Sequence, residues 1–67
     1  MDDLTKLIER ADPYGALHIV IDDGNCDDIH LEFCRRQPGL TALDSLILAR
    51  LELLTVEQRE ELLGFGP

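Results

Sequence analysis

Four residues in the first half of the chain have types that could hold a metal ion. Cys26, His30 and Cys34 stand four residues apart, and His18 lies upstream of them. Thiolate and imidazole are zinc ligands, and a Cys/His pair at i and i+4 of a helix can share one ion. Three residues at i, i+4 and i+8 climb about 12 Å at about 1.5 Å per residue, too far for one ion to take all of them. The metal set on offer is therefore His18, Cys26 and His30. It contains no C-x-x-C pair. The plainer reading is a packed helix face on which cysteine acts as a small hydrophobe. His18 is then a structural histidine bonded to a carbonyl or a turn carboxylate. The plainer reading carries more weight, so no cofactor is expected.

The same rise separates the two thiols. A disulfide needs Cα atoms within roughly 7 Å, so Cys26 and Cys34 should not bond to each other within one helix. Two cysteines are too few for a disulfide framework, and reduced thiols fit a cytoplasmic location. No secretory h-region and no membrane-length apolar run interrupts the sequence, so neither secretion nor a membrane partner is expected.

The second constellation is acidic. Asp22, Asp23, Asp27, Asp28 and Glu32 cluster with no Lys or Arg among them. Fourteen acidic residues against six basic give the chain a formal charge of −8. Direct nucleic-acid binding needs a Lys/Arg surplus and is not expected. Such a patch suits a partner protein with a basic surface, and would speed encounter with it. The plainer reading is a solvated helix start. Asp23, Asn25 and Asp27 alternate as in a calcium loop, but Asp28 stands where that loop needs Gly and Cys34 where it needs Glu.

Catalysis finds little support. Ser45 is the only serine and lies inside a helical pattern with no histidine near it in sequence. No Gly-rich phosphate loop exists. A domain this small has little volume for a pocket of roughly 300 Å³ or more. The chain is expected not to be an enzyme.

The elements that must position these residues are short. Sixty-seven residues make one domain, 1–67, and a chain of this size buries only roughly 60% of its unfolded surface. Met1 to Arg10 reads as a helix with Leu4, Leu7 and Ile8 on one stripe, capped by Asp2 or Asp3 and stopped by Asp12-Pro13-Tyr14-Gly15. Leu17 to Ile21 carries the one β-branched apolar run and favours extended backbone. Alternation would send Leu17, Ile19 and Ile21 to one face. The chain offers no second strand, so this segment is either irregular or paired with its copy across a homodimer.

Asp22 to Asn25 reads as a turn, with Asn25 as the N-cap of a helix from Cys26 to about Arg36. Cys26, Ile29, His30 and Phe33 share its apolar face, with Cys34 at the edge. Thr41 opens the next helix with Asp44 as a capping-box partner. Leu43, Leu46, Ile47, Leu51 and Leu54 form its main stripe. Leu48 and Leu53 fall outside it, and this wide apolar arc hints at burial on more than one side. With the 17–21 segment they form the candidate self-interface: Leu17, Ile19, Ile21, Leu48 and Leu53. Thr55 and Gln58 make a second capping box, opening a helix with Val56, Leu62 and Leu63 inward and Arg59, Glu60 and Glu61 outward. Gly64 stops it, with Phe65 folding back on the cap. The expected fold is mainly α, four short helices with one extended segment or strand at about 17–21.

The string Gly15-Ala-Leu-His-Ile-Val-Ile-Asp-Asp-Gly-Asn25, then His30 and Phe33-Cys34, then Leu54-Thr-Val-Glu-Gln-Arg-Glu-Glu-Leu62, resembles a group of very small phage and prophage open reading frames. Those carry a similar "LHIVLDDGN" string and a similar "LTxEQRE" end. Ala16 departs from the proline expected at its position. The resemblance implies phage origin more than an activity. Small phage accessory proteins commonly act by stoichiometric binding to a host machine. The functional expectation is thus a non-catalytic protein-binding accessory module, an inhibitor or modulator of a host nucleic-acid or defence machine. The alternatives are a small structural zinc domain and a helix-turn-helix-like regulator built on the helices from Cys26 and Thr41.

Overall fold

The computed structural model describes residues 2–64. The side chain of Asp2 and the fold-back expected of Phe65 lie outside the described part. Five helices follow in order: α1 (Asp2–Arg10), α2 (His18–Ile21), α3 (Asp28–Arg35), α4 (Ala42–Glu52) and α5 (Val56–Leu63). The mainly helical expectation holds, and no strand occurs among the described residues.

α4 is the central element. It packs against α1 and α3, while α2 packs on α3. Its buried residues are Asp44, Ile47, Leu48 and Leu51, at the i, i+3, i+4, i+7 spacing of one helix face. Leu48, expected outside the stripe, is fully buried, and Leu46, expected within it, is 47% exposed. The wide apolar arc is used only in part within the chain: α4 packs on α1 and α3 and buries Leu48, whereas Leu53 stays exposed. Leu4, Ala11, Leu17, Val20, Cys26, Leu31 and Cys34 complete the core.

The stretch from 17 to 21 corrects the strand expectation, because four of its residues form the single turn α2. β-branched residues favour extended backbone, but a lone strand leaves its amides and carbonyls without partners. One helical turn supplies them internally. The Ile21 amide donates to the Leu17 carbonyl at 2.8 Å and the Asp22 amide to that of His18 at 2.8 Å. The turn also places Leu17 and Val20, three residues apart, together in the core, with no exposed surface on either. Gly24, at φ 78°, then redirects the chain toward α3.

α3 starts later than expected. Asp27, not Asn25, is its N-cap, accepting from the His30 amide at 2.8 Å. Cys26 thus precedes the helix. Leu31 and Cys34 face the core, whereas Ile29 is 79% and Phe33 48% exposed. Two apolar stripes compete on this helix, 29/30/33 and 31/34, and the docking of α2 and α4 selects the second.

Both capping boxes form as expected, Thr41 with Asp44 and Thr55 with Gln58. Gly64 closes α5 in the left-handed region at φ 81°. The largest departure is Arg59. Expected to point outward, it is 3% exposed. Its Nε donates to the Leu51 carbonyl at 2.8 Å, its Nη1 to the Cys26 carbonyl at 2.9 Å and its Nη2 to Asp28 Oδ1 at 2.9 Å. One guanidinium therefore fastens α5 to the end of α4 and the start of α3, using the fork of donors that only arginine carries.

Candidate interaction surface

The five carboxylates read from the sequence lie along one length of chain, from the end of α2 into α3. Asp22 and Asp23 sit on the turn after α2, Asp27 and Asp28 at the head of α3, and Glu32 one turn further on. Four of them have cationic or histidine neighbours. Asp28 meets Arg59, Glu32 lies 3.3 Å from Arg36, Asp27 takes the His30 ring at 2.8 Å, and Asp22 is 3.7 Å from His18. Asp23 makes no ion pair among the described residues. Asp22, Asp23, Asp28 and Glu32 are exposed. The patch is therefore real, though its field is partly offset from within the chain.

Asp27 is the best-held member. The His30 backbone amide and then the His30 ring hold its carboxyl below the usual carboxylate range. Its role is to cap and lock the first turn of α3.

Ile29 and Phe33, at i and i+4 on the outer side of α3, stand among these acids. Tyr14, 86% exposed, and Phe33 border a shallow cleft of about 260 Å³, which His18, Ile19 and Gln37 also line. An Asx turn sets Tyr14, its amide donating to Asp12 Oδ1 at 2.9 Å. Sequence reading assigned Ile29 and Phe33 to the core and so missed this apolar part of the surface. The signal that could have found it was Leu31, whose pairing with Cys34 defines the alternative stripe.

The candidate zinc set of His18, Cys26 and His30 is not brought together. The Cys26 side chain is buried ahead of α3, and the His30 ring is turned onto Asp27. Burial, and secondarily Glu60, pushes the Cys26 thiol up, and burial does the same for Cys34, so neither is a ready thiolate. Among the described residues, the one group of three with ligand atoms close together is His18, Asp22 and Asp23, within 4.8 Å of one another. His18 Nδ1 lies 3.1 Å from the Pro13 carbonyl, and that bond already accounts for the ring's placement.

The candidate self-interface is also redistributed. Leu17 and Leu48 are fully buried within the chain and cannot face a copy, because α2 is a helix and α4 packs on two neighbours. Ile19 and Ile21 are half-buried against the core, and Leu53 stays 82% exposed. No helix among the described residues is long and apolar enough to cross a membrane.

No protein-family model matches the chain, and no curated protein or solved structure matches it.

Proposed function

We propose that this chain is a non-catalytic protein-binding module of phage origin that engages a basic surface of a host protein stoichiometrically, as an inhibitor or modulator of a nucleic-acid or defence machine. The observation that carries the reading is the exposure of Ile29 and Phe33 within the acidic edge of α3. Apolar anchors ringed by charge are the makeup of a protein interface: the anchors supply affinity, and the carboxylates supply register and a faster encounter. A charge of −8 disfavours a nucleic-acid ligand and suits a basic one. The resemblance to small phage reading frames supports the origin.

Affinity capture from bacterial lysate tests the proposal. The wild-type chain is expected to retain a basic protein in stoichiometric amount at low salt. Phe33→Ala and Asp23→Lys should each release it, with the fold unchanged by circular dichroism. Retrieval of nothing at low salt, or of a partner indifferent to both substitutions, would rule the proposal out.

A further inference from the structure

A second surface lies away from α3, where α1, the end of α4 and α5 meet. Leu4, Leu54 and Leu62 line a groove of about 550 Å³, and Leu53 stands on its margin with 82% of its surface exposed. Arg50 and Glu61 also line it. Neither makes an ion pair, with the other or with any further described residue.

We infer that this groove receives a second copy of the chain across a two-fold axis, with Leu53 of each protomer entering the groove of the other and Arg50 facing the partner's Glu61 in both directions. A two-fold interface must be self-complementary. The groove has what that requires: one projecting apolar side chain, one cavity to take it, and one cation and one anion that pair with no described residue. A basic partner would answer Glu61 and repel Arg50. An acidic partner would do the reverse. A second copy answers both charges with one operation. A small domain gains apolar burial this way that its own core cannot supply. The surface shares no residue with the acidic edge of α3, so the inference stands apart from the proposed function.

Sedimentation velocity over a concentration series tests it on the full chain. The wild type should show a reversible monomer–dimer equilibrium. Leu53→Asp, R50E and E61R should each weaken the dimer about tenfold or more, and the double variant R50E/E61R should regain it, because the swapped charges again meet their opposites. The exposed position of Leu53 makes unfolding of that variant unexpected, and a thermal melt of each variant verifies it. A wild type that stays monomeric throughout would overturn the inference. So would a dimer untouched by all three substitutions, or a double variant as monomeric as the single ones. A monomeric wild type whose melting temperature drops with Leu53→Asp would mean that the groove is covered from within the chain, which also overturns it.

Discussion

Arg59 is the residue on which the packing of α5 depends. Its three bonds reach two backbone carbonyls and one carboxylate, all from a buried side chain. Arg59→Met keeps the length and apolar stem but strands the Cys26 carbonyl, and should cost about 2 kcal/mol in urea denaturation. Asp28→Asn, at the exposed end of the same network, should cost less than about 1 kcal/mol. Asp27 carries a pH signature. Its folded carboxyl is held low by His30, so the stability it contributes is present above its unfolded value, about 4, and is lost as pH falls through the folded one. An acid titration followed by circular dichroism should show the Asp27→Asn variant losing less stability than the wild type between neutral pH and about pH 3. The buried thiols supply a third residue-scale expectation. Cys26 and Cys34 should react slowly with a disulfide reagent at neutral pH in the folded chain and quickly in urea, since burial raises both.

At the scale of elements, the capped helices and α2 stand in contrast. α4 and α5 each begin with a reciprocal Thr–Asp or Thr–Gln box. Thr41→Ala and Thr55→Ala should each lower stability by about 1 kcal/mol in thermal or urea melts. The loss should be the more cooperative at Thr41, since α4 contacts both α1 and α3. α2 has no side-chain cap and only four residues. A turn this short has no stability of its own. It exists because Leu17 and Val20 are in the core. Val20→Thr keeps the β-branched shape and places a hydroxyl among apolar neighbours. It should melt the α2 amides first, read as faster hydrogen exchange at Ile21 and Asp22 than in the wild type.

For the whole molecule, two separate faces combine exposed apolar side chains with charge. The α3 face pairs Ile29 and Phe33 with an acidic edge, and the groove pairs Leu53 with Arg50 and Glu61. Association of a basic partner with the α3 face should slow steeply as ionic strength rises, because the field of a chain at −8 is screened over about 8 Å at physiological salt. Stopped-flow binding at two salt concentrations measures this, and a rate independent of salt would argue that the carboxylates play no part in encounter.

The sequence by itself determined what is local. Capping boxes at Thr41 and Thr55, the stop at Gly64, the turn after Asp12 and the Leu4, Leu7, Ile8 stripe of α1 all follow from bonds and spacing within a few residues. The acidic edge was legible for the same reason, since clustered charge needs no fold to be seen. Tertiary structure decided whatever involved a choice between faces. Ile19-Val20-Ile21 has the propensity of a strand, yet no second strand was there to pair with it, and packing made it a turn of helix. α3 carries two plausible stripes, and its docking chose Leu31 and Cys34 over Ile29 and Phe33, turning expected core into exposed surface. Arg59 reads as solvent-facing in a run of Glu and Arg. Only the approach of Cys26 and Asp28, thirty-odd residues away in sequence, gives its donors acceptors and makes burial of a charge possible.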